Sequence, residues 1–289
     1  MLSILIVNWN TRELLRSCLQ SISQHAPRVD HEIILVDNAS KDGSADMVRS
    51  QFPGVTLIAC ERNTGYAEGN NIAFNAARGE ILLTLNPDTE FEDDSLDRAY
   101  DYLKSHIEAG CLGVKQIGMD GLIQHSIRGF PTFLGIVGDV TGLGKRFPGT
   151  VFDSYRLSSF DYSKAGLAPQ PMGTFLMFRR EALDAVGDPH APFDENFPIF
   201  FNEVDLLYRL REKSWDCLYL PDAHVLHHGG ESTRQVKKSM IWESHRSLVR
   251  YLRKHPGTGL GHVGLPFLAA IIYLAALVRA KGYDAGFRS

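Results

Sequence analysis

Through the first hundred residues, short apolar runs alternate with segments whose apolar residues recur at helical spacing. That alternation is the signature of a mostly parallel sheet wrapped by helices. Leu2 to Val7, Glu32 to Val36, Val55 to Ala59 and Ile81 to Leu85 read as strands. Between them, Thr11 to Gln24, Ser44 to Gln51 and Tyr66 to Ala77 read as helices, with Asp94 to Ser105 following. Leu14, Leu15, Cys18, Leu19 and Ile22 share one face of the first helix. Glu80 to Asp88 adds a specific point, because an apolar strand bounded by Gly79 and Pro87 there ends on a carboxylate. In an open sheet of this kind, ligands bind at the carboxyl ends of the strands.

The second half is looser. Between Gly118 and Ala168, glycines and prolines point to long irregular connections, which in a compact domain tend to be functional. Met172 to Phe178 and Asp216 to Leu220 read as strands. Arg180 to Val186, Asn202 to Lys213 and Ser232 to Lys254 read as helices. No Lys, Arg, Asp or Glu occurs from Thr258 to Val278, and basic residues flank that stretch at Arg250, Arg253, Lys254, Arg279 and Lys281. A buried helix, an interfacial helix and a short membrane span all fit, and the basic flanks favour the interface. The chain divides on this reading into a domain over 1–231 and a C-terminal helical, apolar extension over 232–289.

Composition excludes several classes. A net charge of −4 with no basic run argues against nucleic acid as a partner. The four cysteines form no CxxC pair, so neither a zinc site nor a disulfide framework is expected, and a reducing cytoplasm suits them. Met1 runs straight into the first strand with no export signal. After that strand the sequence reads Asn8-Trp9-Asn10-Thr11, without the glycines a dinucleotide-binding turn needs, and the GxxxxGK[ST] phosphate loop is absent. His224, His227 and His228 lack the helical spacing of a zinc hydrolase.

Polar residues cluster at the strand ends: Asn8 and Asn10, Asp37 and Asn38, Asn63, then Asn86 and Asp88. Alone, each is ordinary turn chemistry; together they converge on one crevice. Trp9 and Trp215 read as core anchors, and Arg209, Arg211 and Arg234 as either diphosphate contacts or solvated surface.

Val7-Asn8-Trp9-Asn10, Val36 to Ser44, Asn63 to Asn71, Asn86-Pro87-Asp88, Phe201 to Leu206 and His227 to Ser232 occur in that order. Together these blocks resemble family 2 glycosyltransferases, in particular the rhamnosyltransferase-like branch of bacterial surface polysaccharide synthesis. The resemblance covers about residues 1–255. It implies a GT-A fold, a nucleoside-diphosphate sugar donor such as a dTDP-sugar, a divalent Mg²⁺ or Mn²⁺, and inversion at the anomeric carbon. The acceptor expected is a hydroxyl of a glycan or polyprenyl-linked glycan at the inner face of the cytoplasmic membrane, and peripheral membrane contact follows if the apolar tail meets lipid.

Carried over by position, Asn8, Asn10, Asp37, Asn63, Asn86 and Asp88 would hold the nucleotide-sugar. Asp88 and His227 would hold the metal, with His228 as the alternative histidine. The family's metal motif often carries two acids; Asn86 stands in the first place here, as it does elsewhere in this branch. Glu203 occupies the place of the family's base, although Asn202 replaces the acid before it, and Asp205 is the second candidate. Both acids also suit a helix N-terminus on dipole grounds alone. Gly173 falls on the acceptor side, where an ordinary sheet edge is an equal reading. A non-catalytic nucleotide-sugar- or glycan-binding protein on the same fold is the competing functional reading, and a nucleotidyltransferase would need a glycine-rich basic loop that is missing.

Overall fold

The computed structural model describes residues 1–229, 237–256 and 260–284. Its centre is a nine-stranded sheet. β1 (Leu2–Asn8) lies between β2 (His31–Asp37) and β4 (Ile81–Leu85), parallel to both, and β3 (Thr56–Ala59) extends β2 in the same sense. β1 and β4 are buried along their whole length, which is why they read as unbroken apolar runs. α1 (Arg12–Gln24), α2 (Ser44–Gln51) and α3 (Gly65–Ala76) are the crossovers.

Beyond β4 the direction changes. β5 (Thr89–Glu90) leads to α4 (Ser95–Ser105) and then to β6 (Ala109–Gly118). β7 (Ile127–Arg128), α5 (Phe133–Thr141), α6 (Leu143–Arg146), β8 (Gly166–Leu167) and β9 (Gln170–Pro171) fill the irregular stretch. β10 (Phe175–Arg179) inserts antiparallel between β4 and β6. After α7 (Arg180–Asp184) and α8 (Asn202–Glu212), β11 (Asp216–His227) pairs parallel with β6 and antiparallel with β5 and β8. β7 and β9 form a separate small ladder.

β6 was not expected from the sequence, and β11 is longer than the expected Asp216 to Leu220. Pro221 interrupts β11, and the register against β6 shifts between Leu220 and His224 before pairing resumes.

α9 (Lys237–Lys254) and α10 (Leu260–Asp284) complete the chain. Val249, Tyr251, Leu252, Leu268, Ala269 and Ile272 belong to the same apolar core as Val204, Leu206 and Phe197. The two helices are therefore packed onto the sheet domain. The boundary at 231/232, the Ser232 helix start and Arg234 lie outside the described residues.

Candidate active site

The carboxyl ends of β1, β2 and β4 meet the loop before α8 around a cavity of about 320 Å³. Its walls include Trp9, Asn38, Asn63, Tyr66, Asn86, Asp88, Gly173, Phe200, Glu203 and His227. A larger depression of about 650 Å³, lined by Val186, Asp194, Arg209 and Lys254 among others, contains none of the strand-end residues.

One end of the cavity rests on a braced turn. Asn8 donates from Nδ2 to Asp37 Oδ1 (2.9 Å) and accepts at Oδ1 from the Thr11 hydroxyl (2.7 Å). Asp37 Oδ2 accepts from the backbone N–H of Ser40 (3.0 Å). The Lys41 N–H donates to Asn10 Oδ1 at 2.7 Å. Asn8 and Asp37 are buried, and neither they nor Asn10 line the cavity; they shape the loops that present Trp9 and Asn38 to it. Asn10 and Ala39 hold positive φ angles of 53° and 58°, a conformation that persists only when neighbouring bonds impose it.

Sheet pairing assembles the second end. The Asn86 N–H donates to Thr174 O (3.0 Å), and Asn86 O accepts from the Thr89 hydroxyl (2.7 Å), which fixes the Asn86-Pro87-Asp88 turn. Thr89 then pairs with His227 across β5 and β11. The result sets His227 Nε2 3.6 Å from Asp88 Oδ1. Gln124 reaches the far side of that histidine: its Oε1 lies 2.7 Å from His227 Nδ1, and its Nε2 donates to His227 O at 3.1 Å. Because the amide's nitrogen is committed to a carbonyl, its oxygen must accept the Nδ1 proton, leaving the Nε2 lone pair facing Asp88. Burial holds the His227 pKa below the usual histidine range despite the Asp88 charge. His228 is turned to Glu90 instead, at 2.7 Å.

Glu203 stands in the first turn of α8 and opens into the cavity. Burial pushes its carboxyl up to about 7, against the lowering effect of the Glu203 and Val204 backbone N–H groups. Its methylenes lie over Gly173, where a Cβ would stand 3.4 Å from Glu203 Cγ. Phe201, which caps α8, is also held at a positive φ of 66°. Tyr66 sits under the influence of both acids: burial, then the Glu203 and Asp88 charges, raise its hydroxyl far above the ordinary range.

Asp205 does not line the cavity. It is fully buried, 2.8 Å from Arg209 Nε, 2.7 Å from Lys254 Nζ and 2.8 Å from His255 Nε2. Burial alone would raise its carboxyl; the His255 hydrogen bond and the Arg209 and Lys254 charges outweigh that and hold it at about 2. Arg209 also donates to the carbonyls of Val186 and Pro192, so it is a structural group here. Arg211 lies over the Phe130 ring.

Trp215 packs on the core as expected, but Trp9 lines the cavity. Tyr66, Gln124 and Phe200 were not singled out from the sequence. Among the described residues no group of three or more His, Cys, Asp or Glu is arranged to hold a metal ion.

Residues 3–187 match the sequence profile of glycosyl transferase family 2. The chain belongs to that family. As a family 2 glycosyltransferase it is 28% identical over 271 residues to the N-acetylglucosaminyl-diphospho-decaprenol L-rhamnosyltransferase of Mycobacterium tuberculosis, covering 89% of this chain and 85% of that relative. The rhamnosyltransferase-like resemblance read from the motifs therefore stands. The fold of this glycosyltransferase is shared with a mannosyltransferase from Pyrobaculum calidifontis solved with GDP-Man and Mn²⁺ (TM-score 0.62, 19% identity, 97% of this chain and 75% of that one). It is also shared with residues 1–349 of S. aureus TarS (TM-score 0.56, 17% identity, 95% and 80%). The chain is a glycosyltransferase enzyme, and the non-catalytic reading falls away.

Proposed function

We propose that this glycosyltransferase transfers a sugar with inversion, in a divalent-metal-dependent reaction, from a nucleoside diphosphate to a hydroxyl of a glycan or lipid-linked glycan. The observation that carries the proposal is the opposition of two different kinds of site in one cavity. Asp88 with His227 offers a carboxylate oxygen and an imidazole lone pair, while Glu203 offers a carboxyl held at about 7. Rhamnose from a dTDP-sugar is the donor we infer, because a relative matched over 89% of this chain is an L-rhamnosyltransferase. Its lipid-diphosphate acceptor likewise favours a polyprenyl-linked acceptor in bacterial envelope synthesis.

Two protein ligands are few for a hard cation, which takes about six oxygen or nitrogen donors. They fit an ion that completes its sphere with water and the donor's own diphosphate. Bound there, Mg²⁺ or Mn²⁺ would act as a Lewis acid neutralising the charge that gathers on the leaving diphosphate. The remaining work falls to the chain. Trp9, Asn38 and Asn63 offer a flat ring and two amides to the nucleoside, with Asn8, Asn10 and Asp37 bracing the loop behind them. Glu203 takes the proton from the acceptor hydroxyl as that oxygen forms its bond to the anomeric carbon, and the bond from that carbon to the diphosphate breaks. A carboxyl near 7 is well matched to that task, since it is largely ionised just above neutrality yet basic enough to accept a proton. Gly173 leaves the acceptor side open beside the base.

The test is donor binding and transfer across dTDP-, UDP- and GDP-sugars, with Mn²⁺, with Mg²⁺ and with chelator. Metal-dependent preference for one nucleotide, lost in Asp88→Ala, is the expected result. Equal donor binding with and without metal would overturn the Asp88–His227 assignment.

A further inference from the structure

Among its described side chains, α10 is packed along one side. Leu268, Ala269, Ile272, Ala276 and Ala280 are buried, on the side that meets α9 and α5. At about 100° per residue these positions share one face. Phe267, Ile271, Leu274 and Val278 fall on the opposite face and are 76%, 50%, 61% and 64% exposed. A helix on the surface of a water-soluble domain carries polar residues there. Here the outer face is a continuous apolar stripe, which marks an interaction surface.

The segment Gly264–Lys281 has a mean hydropathy of 1.6, apolar enough by composition to cross a membrane. The packing argues against a crossing. α9 lies against α10 and carries Glu243, Arg246, Arg250 and Arg253, so a span would drag those charges towards hydrocarbon.

A second segment, packed against α10, exposes apolar and basic residues of its own. Phe133 at the start of α5 packs on Gly264, where a Cβ would meet its ring at 2.5 Å. The α5–α6 stretch beyond it exposes Val140 and Phe147, with Lys145 and Arg146 also exposed. Its acid, Asp139, is paired with Arg156. On α10 itself, the exposed Lys281 continues the apolar face. Apolar bodies with basic edges suit the boundary between acyl chains and anionic headgroups.

We propose that α10 and the α5–α6 segment form a docking surface for an anionic lipid membrane, with α10 lying in the membrane plane. Phe267, Ile271, Leu274 and Val278 enter the interface, while Lys145, Arg146 and Lys281 meet lipid phosphates. The surface rests on its own observations and stands whatever sugar the active site transfers.

The full chain is mixed with vesicles of phosphatidylcholine, alone or with phosphatidylglycerol, and pelleting is measured. Binding to the anionic vesicles is expected, weakened at least about tenfold by Phe267→Ser/Ile271→Ser/Leu274→Ser. Lys145→Gln/Arg146→Gln and added salt should each weaken it too, with circular dichroism and donor binding as controls for folding. Orientation is read from a fluorophore on a cysteine placed at 267, 271, 274 or 278 in a Cys60→Ser background, quenched by spin-labelled lipids. Equal shallow depths fit the in-plane helix; a gradient of about 16 Å from 267 to 278 would mean a span and overturn it. Failure to bind anionic vesicles also overturns it. If that protein is a dimer dispersed by the triple serine variant, the face belongs to a second copy.

Discussion

Gln124 grips His227 from two sides: the side-chain amide accepts from the ring at 2.7 Å and donates to the same residue's carbonyl at 3.1 Å. The pair orients one ring nitrogen towards Asp88 by satisfying the other. Partners of this kind typically contribute about 10- to 100-fold to metal affinity. Gln124→Leu should therefore weaken Mn²⁺-dependent donor binding by about that factor, measured by calorimetry with Mn²⁺ varied at fixed donor. Gln124→Glu keeps an acceptor for the Nδ1 proton and should retain most of the affinity. Equal loss in both variants would mean that Gln124 supports the loop rather than the ring.

Glu203 predicts a pH profile. A base must be ionised, so kcat/KM should rise with pH and level off above about 7, the value to which burial pushes its carboxyl. Glu203→Gln should lower kcat by about 10²- to 10⁴-fold, with donor affinity kept and the rising limb abolished. Stability runs the other way. A carboxyl raised from 4.5 to about 7 stabilises the fold fully below 4.5, and that contribution is lost as pH climbs through 7. The Gln variant should accordingly gain Tm relative to wild type at pH 8 and not at pH 4.

Asp205 predicts the opposite pattern. Replacing one member of a buried ion cluster strands the others, at a cost of about 3–5 kcal/mol. Asp205→Asn should lower the denaturant midpoint sharply while the folded fraction keeps its pH–rate profile. Its carboxyl is held at about 2, so the wild-type contribution is present above the ordinary 3.8 and lost as pH falls through 2. An Asp205→Asn protein of normal stability but shifted pH profile would make Asp205 the base after all.

β1 and β4 are legible because burial on both faces leaves apolar runs. β6 was hidden by its glycines, and packing explains why they are there. A Cβ at Gly110 would stand 2.8 Å from Trp215 Cβ, and one at Gly113 would stand 2.5 Å from Pro171 Cβ. The residues that dilute the strand signal are those that let neighbours approach. Asp88 was legible as a strand-end acid, whereas its pairing with His227 depends on β5 meeting β11, which no local pattern announces. Gln124 carried no signal for the same reason. Trp9 reads as a core anchor yet lines the cavity, because an aromatic at a strand end can serve core and cavity alike.

Gly173 offers the sharpest separation of binding from chemistry. Its backbone does not occupy a left-handed conformation, so alanine is tolerated there by the chain itself. The added methyl would meet the Glu203 side chain at 3.4 Å from Cγ and 3.5 Å from Cδ, the near edge of ordinary contact. The carboxyl can keep its place, so the methyl acts on the acceptor, which must give way beside the base. Misplacement of about 1 Å at a reacting group can cost about 10²-fold in rate, so a smaller displacement of the acceptor hydroxyl should cost about tenfold. Gly173→Ala is expected to lower kcat by that factor while the donor Kd, set on the Asp88 side of the cavity, stays within twofold, roughly the scatter of such measurements. Gly173→Val should deepen the loss and raise KM for the acceptor. A parallel fall in donor affinity would show instead that Gly173 borders the donor sugar and that the acceptor enters elsewhere along the cavity rim.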